Sequence, residues 1–255
     1  MNLFLKWLYP LRAACMGCGS RAGCREDWVC PDCRRTLAER WVGAAPGPEG
    51  FDGAAYSYVY AGPAAGIVNR MKYNGIHRLA GFMAEDMLRA YRFIEPTGAD
   101  LVTFVPMHPR RQRLRGYNHA ELLARACAEA LGLPCENAVE RTRDTPQQAR
   151  LETEQRRENL RDAFAPARSV EGRAVLLIDD VCTTGATARG CAMALRKGGA
   201  ERVYLLCYAQ ARGQHPKQST PPEGSGEQCL ALRNVHACAI VSAGDIKAES
   251  DIPFR

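Results

Sequence analysis

Apolar positions along the chain follow two alternating rhythms. Leu101-Val102-Thr103-Phe104-Val105, Ala174-Val175-Leu176-Leu177-Ile178 and Val203-Tyr204-Leu205-Leu206 are short apolar runs, and each reads as a buried strand. The first stops at Pro106, which has no N–H to offer a neighbouring strand. Tyr56, Tyr58 and Tyr60 alternate with Ser57 and Val59 and predict a further strand. Residues 64–72, 79–91, 120–131 and 188–197 carry helical patterns. Gly132 is placed to end the third of these and Gly198-Gly199 the fourth. Strands and helices alternate, and the strands are apolar throughout. That combination predicts an α/β fold, a parallel sheet flanked by helices.

Outside this alternation the chain changes character. Leu3, Phe4, Trp7, Leu8 and Leu11 fall on one face of a short amphipathic helix, and Lys6 and Arg12 break any signal-peptide core. Gly43-Ala44-Ala45-Pro46-Gly47-Pro48-Glu49-Gly50 reads as a linker between residues 1–42 and 51–212. Residues 213–226 are poor in apolar side chains, and 230–255 show no pattern, so 213–255 is expected to be a loose tail.

Composition narrows the class. The 255 residues are 46% hydrophobic and 24% charged, enough for a buried core and incompatible with wholesale disorder. The net charge of +6 permits phosphate-bearing partners without requiring them. No apolar run reaches the roughly 20 residues that cross a bilayer.

Five of the 12 cysteines lie between Cys15 and Cys33. A disulfide framework suits small secreted domains without a core, which this is not, so a reducing cytoplasm is the expected compartment. Cys15-Met16-Gly17-Cys18 and Cys30-Pro31-Asp32-Cys33 are two C-x-x-C units. Each can pinch a metal from one tight turn, and together they close a four-thiolate structural zinc site. Cys24, between them, is a spare thiol or an alternative fourth ligand. A thioredoxin-like redox pair is the competing reading, without a strand-then-helix context to support it.

The most informative stretch runs from Val175 to Thr187. An apolar strand ends in Asp179-Asp180, and Thr183, Thr184, Gly185, Ala186 and Thr187 lead into a helix. Ligands of parallel sheets bind at the carboxyl ends of strands. Backbone N–H groups of the Thr/Gly turn suit a monophosphate, and adjacent carboxylates suit vicinal hydroxyls. The expected ligand is a ribose 5′-phosphate. This stretch resembles the phosphoribosyl-pyrophosphate (PRPP) signature of type I phosphoribosyltransferases; the alternative is a generic strand–helix turn with capping threonines.

Two basic segments add to it. Arg110, Arg111, Arg113 and Arg115 crowd a loop after the strand at 101–105, where guanidinium forks suit pyrophosphate. A solvated basic loop or a nucleic-acid footprint is the alternative reading. Asn118 is a candidate helix cap. Residues 141–161 almost lack apolar side chains, so they read as a mobile lid over the ligand, offering Arg143, Gln147, Arg157 and Asn159, or as a charged solvated helix. Lys72 either contacts phosphate or sits at a helix C-terminus. His77, His108 and His119 are isolated and read as core or surface residues.

The motifs also come in a recognisable order. The paired knuckles precede Met71-Lys72-Tyr73-Asn74-Gly75, then Val105-Pro106 and Arg115-Gly116-Tyr117-Asn118, then Arg141-Thr142-Arg143 with Gln147, Arg157, Asn159 and Phe164, and last Asp179-Asp180 with the Thr/Gly turn. In this order the chain resembles the ComF family of ComFC-like competence proteins over residues 1 to about 212. His108 and His119 depart from that pattern, as does everything after Arg212.

The resemblance implies a type I phosphoribosyltransferase-like domain behind a small N-terminal zinc knuckle, in a protein associated with uptake of transforming DNA. It implies PRPP with Mg²⁺ as ligand. Asp179 and Asp180 would serve as the catalytic, ribose-holding pair, and Thr183, Thr184, Gly185, Ala186 and Thr187 would hold the 5′-phosphate. Lys72, Arg110, Arg111 and Arg115 would face the pyrophosphate, and zinc would sit on Cys15, Cys18, Cys30 and Cys33. Transfer of the phosphoribosyl group to a nitrogen acceptor is one expectation. The other is a non-catalytic component that binds single-stranded DNA alongside other competence proteins.

Overall fold

The computed structural model describes residues 14–21, 28–94, 98–142 and 163–211. All of them belong to one unit of the chain, Met1–Ser219. The N-terminal amphipathic segment, Cys24, the lid candidates Arg143, Gln147, Arg157 and Asn159, and the tail at 213–255 lie outside the described residues.

The apolar runs do form the sheet. β1 (Trp41–Ala44), β2 (Gly53–Val59), β3 (Leu101–Phe104), β6 (Ala174–Cys182) and β7 (Arg202–Gln210) assemble in the order β1-β2-β7-β6-β3. β1 runs antiparallel to β2, and every other pair is parallel. β4 (Val139–Arg141) and β5 (Phe164–Pro166) form a separate antiparallel pair. The helices are α1 (Pro31–Glu39), α2 (Gly62–Tyr73), α3 (Leu79–Tyr91), α4 (Pro109–Arg115), α5 (His119–Leu131) and α6 (Ala186–Lys197). α6 is the crossover that two adjacent parallel strands, β6 and β7, require. Leu176, Leu177 and Ile178 of β6 and Leu205, Leu206 and Cys207 of β7 are fully buried, as interior parallel strands should be.

Four local expectations change. Gly43 and Ala44, read as the start of a linker, end β1 by pairing with Tyr56 and Ala55. The knuckle side chains Cys15, Cys30 and Cys33 share one apolar cluster with the sheet, so no apolar boundary falls at residue 42. β2 stops at Val59, short of Tyr60, and buries Ser57 along with its tyrosines because it is an interior strand between β1 and β7. The arginine-rich segment is not a loop but the helix α4. His108 Nδ1 accepts a hydrogen bond from the Arg110 N–H, Pro109 occupies the first turn, and Gly116 closes it in the left-handed conformation.

Candidate active site

The site arises from a mismatch in strand length. β3 pairs with β6 only as far as Phe104 with Ile178, and Pro106 then leads the chain away. β6 continues beside β7 to the Cys182–Gln210 pair. Asp179 and Asp180 therefore stand in the carboxyl-terminal part of the strand, as expected, and the strand runs on past them to Cys182 where its neighbour on one side has departed. That departure opens a crevice at the carboxyl end of the sheet.

The crevice is a cleft of about 740 Å³. Lys72 and Tyr73 from α2, Arg111 and Arg115 from α4, Asn118 and His119 at the start of α5, Arg141 from β4, Asp179 and Thr187 all line it. Asn118 caps α5 as expected. Its Oδ1 accepts from the Ala120 N–H at 3.0 Å, and its amide donates to the Val105 carbonyl at 3.1 Å, fixing the helix to the end of β3.

The two aspartates differ. Asp180 is buried, and its Oδ2 lies 2.5 Å from the Lys72 ammonium and 3.4 Å from His119 Nε2. Its Oδ1 accepts from the Val181 N–H at 2.8 Å. Burial alone would raise the pKa of this carboxyl, but His119 and Lys72 outweigh it and hold the group well below the usual carboxylate range. Asp179 faces the cleft. Its Oδ1 accepts the Asp180 N–H at 2.9 Å, and burial, followed by the charge of Asp180, pushes its pKa well above the ordinary value. Lys72 responds in the opposite sense to its own burial: Asp180 more than offsets the desolvation, and the ammonium is held in its charged form.

His119 was missed. Asn118 as a helix cap at the end of β3 was the available signal, because it puts residue 119 on the first turn, over the acidic strand. His119 Nδ1 also meets Arg115 Nη1 at 3.3 Å. Guanidinium can only donate, so Nδ1 accepts and the ring proton sits on Nε2, toward Asp180. The result is a chain of contacts from Asp180 through the imidazole to Arg115, whose guanidinium also lies 5.1 Å from the Tyr73 ring centroid. His77 is a surface residue, one of the two expected roles, and its ring lies 4.2 Å from that of Tyr117 in a tilted contact.

The remaining candidates divide. Arg111 and Arg115 line the cleft, whereas Arg110 and Arg113 are exposed and absent from its lining. Thr187 reaches the cleft; Thr183 and Thr184 are exposed and absent from its lining, and the Thr184 hydroxyl accepts from the Ala186 N–H at 3.4 Å. Gly185 holds φ +74°, and a Cβ there would stand 2.6 Å from Pro48. Glycine meets both constraints where the former linker segment leans on the turn. At the edge of the cleft Arg141 pairs with Phe164, and Thr142 N–H donates to the Ala163 carbonyl at 2.9 Å.

The sulfur atoms of Cys15, Cys18, Cys30 and Cys33 all lie within 4.8 Å of one another, with Cys18 and Cys30 at 3.8 Å. Tetrahedral zinc with bonds of about 2.3 Å separates its sulfurs by about 3.8 Å, so the donor set fits such an ion. Cys15 Sγ accepts the Cys30 N–H at 3.2 Å. Burial opposes ionisation of this thiol, but backbone N–H groups of Cys18, Cys30 and Gly17 prevail and lower its pKa to about 6. The cluster could hold a metal ion such as zinc.

A family model described as phosphoribosyl transferase domain matches residues 118–227. Competence protein F of Haemophilus influenzae is 32% identical over 163 residues, covering 60% of this chain and 70% of that protein. The DNA utilization protein YhgH of Escherichia coli is 31% identical over 153 residues, covering 58% and 67%. The chain belongs to the ComF family. Competence protein ComFC of Bacillus subtilis extends the likeness to 77% of this ComF-family chain and 82% of its own length, at 26% identity. Among solved structures, the glutamine PRPP amidotransferase from B. subtilis is 26% identical with a TM-score of 0.36, over 51% of this chain and 26% of that one. The phosphoribosyltransferase fold of the ComF chain rests on its strand order and the family match. Among the described residues, no helix is long and apolar enough to cross a membrane.

Proposed function

We propose that this ComF-family protein binds PRPP with Mg²⁺ in the cleft above β6 and transfers its phosphoribosyl group to a nitrogen nucleophile. The observation that carries this reading is the position of Asp179, a carboxylate facing a cleft of about 740 Å³ between cationic and hydroxyl-bearing walls. Asp179 holds the ribose diol. The Thr187 side of the α6 N-terminus takes the 5′-phosphate, with Thr183, Thr184, Gly185 and Ala186 supplying the turn. Arg111 and Arg115 take the pyrophosphate. Asp180 and Lys72 neutralise each other in their present pairing, so Lys72 acts first as the partner of a buried charge, and Arg110 stands outside the ligand shell.

Magnesium, when bound with the pyrophosphate, neutralises charge on the leaving group. In the reaction the anomeric C–O bond breaks, pyrophosphate departs with the electron pair, and a C–N bond forms as the nucleophile gives up a proton. His119, donating to Asp180, and Arg115 keep the pyrophosphate side in place throughout. Zinc sits on Cys15, Cys18, Cys30 and Cys33. The proposed compartment is the reducing cytoplasm, where thiols stay available as metal ligands.

The exposed Arg110 and Arg113 favour a second reading: a backbone track for single-stranded DNA, outside the cleft, serving other components of competence. Titration calorimetry with PRPP and Mg²⁺, paired with a pyrophosphate-release assay over a panel of bases and amines, tests the first reading. Micromolar binding that disappears in Asp179→Asn supports it, and absence of heat at millimolar PRPP overturns it. A single-strand affinity whose salt slope falls in Arg110→Ala/Arg113→Ala supports the second, and an unchanged slope removes it.

A further inference from the structure

The knuckle and the cleft are joined through one helix. At the start of α2, Gly66 meets the knuckle turn so closely that a Cβ would run into the Gly17 carbonyl oxygen. On the other side, a Cβ at Gly17 would stand 2.8 Å from Cys33 Sγ and 2.9 Å from Pro63. One turn beyond Gly66, Arg70 Nη1 donates to the Met16 carbonyl at 2.7 Å, and to the Gly17 and Gly66 carbonyls at 3.2 Å each. Met16 and Gly17 are the two residues between Cys15 and Cys18. Their carbonyls therefore point at Arg70 only while the cysteine turn is closed. The next residues of α2 belong to the cleft: the Met71 carbonyl accepts the Tyr117 hydroxyl, and Lys72 pairs with Asp180.

We infer that Arg70 and Gly66 are positioning residues through which the four-cysteine knuckle holds Lys72 against Asp180, so that metal occupancy of the knuckle governs the geometry of the cleft. The inference rests on the reading above only in treating Lys72 as part of a ligand site. The physical route is short. A metal ion fixes four sulfurs, the fixed turn presents two carbonyls, and one guanidinium transmits their position to the last turn of a rigid helix. When the knuckle opens, Arg70 loses its Met16 and Gly17 acceptors, and the knuckle-facing turns of α2 keep only their apolar contacts, while Tyr117 and Asp180 still hold the far end. Lys72, whose side chain is 19% exposed in the pair, then spends more time away from Asp180.

The test reads Lys72 directly. Full-length protein is treated with a limiting amine-acetylating reagent, and modification at Lys72 and at Lys197 is quantified by mass spectrometry. Wild type, zinc-stripped and zinc-restored wild type, Arg70→Ala, Arg70→Lys, Gly66→Ala and an Arg125→Ala control are compared, with zinc content and thermal melts measured on each. The expected result is a rise of about tenfold in Lys72 acetylation in zinc-stripped protein, Arg70→Ala and Gly66→Ala, with Lys197 unchanged. Restored zinc reverses the first, and Arg70→Lys is intermediate. An unchanged Lys72 rate in Arg70→Ala and Gly66→Ala overturns the inference, as does an equal rise at Lys197, which would mean general loosening. PRPP affinity is measured on the same samples. If wild type does not bind PRPP but Lys72 responds, the functional reading fails and the coupling stands.

Discussion

The ammonium of Lys72 lies 2.5 Å from the carboxylate of Asp180, joining the last turn of α2 to the strand at the centre of the cleft. Both side chains are largely buried. The pair therefore removes two charges from water, and each needs the other.

Lys72→Met is expected to cost about 3 kcal/mol in urea unfolding at neutral pH, because it takes the ammonium from the buried Asp180 carboxylate and leaves it only His119 and the Val181 N–H. The pH dependence has a definite sign. Asp180 has a depressed pKa in the folded protein, so its contribution is complete above the unfolded carboxylate value of about 4 and is lost as pH falls toward the folded value. The stability gap between wild type and Lys72→Met should narrow below about pH 4. A gap that stays constant from neutral to acid pH would show that the pair contributes little.

Asp179→Asn should stabilise the protein while removing ligand binding. Burial and the neighbouring Asp180 raise the pKa of Asp179 in the folded state, so the ionised form is tolerated less well there than in the unfolded chain. An uncharged isostere relieves that penalty, and a gain of about 2–4 °C in Tm is expected. A lower Tm would mean that Asp179 is held by compensations that its surroundings do not reveal.

His119→Gln and His119→Ala should separate. A Gln amide can donate toward Asp180 and accept from Arg115, in place of the two ring nitrogens, whereas Ala does neither. PRPP affinity is expected to fall about tenfold in the Ala variant and much less in the Gln variant. Equal losses in both would point to packing instead of this chain of contacts.

Metal analysis should return one zinc per chain, and a Cys18→Ser/Cys30→Ser variant should lose it together with thermal stability. Protons should be released on rebinding, because zinc takes thiolates; the Cys33 thiol, raised by burial, gives one up, while Cys15, lowered to about 6, is largely ionised already at neutral pH. A stoichiometry well below one would remove the knuckle assignment.

Much of this protein is legible in one dimension. Unbroken apolar runs at 101–105 and 174–178 mark strands covered on both faces, and each C-x-x-C unit sets two thiols close together on one turn. The acid pair and the Thr/Gly turn announce a site at a strand end because adjacent carboxylates there have no packing role. The tertiary structure alone decided the rest. It made one aspartate the buried partner of a lysine and left the other facing the cleft, because β3 ends before β6 does. It turned a basic stretch into a helix with Arg111 and Arg115 inward and Arg110 and Arg113 outward. It recruited His119 and bolted the knuckle to α2 through Arg70. These outcomes depend on contacts between residues far apart in the chain, and local hydrophobic pattern, being blind to where a neighbouring strand stops, carries no record of them.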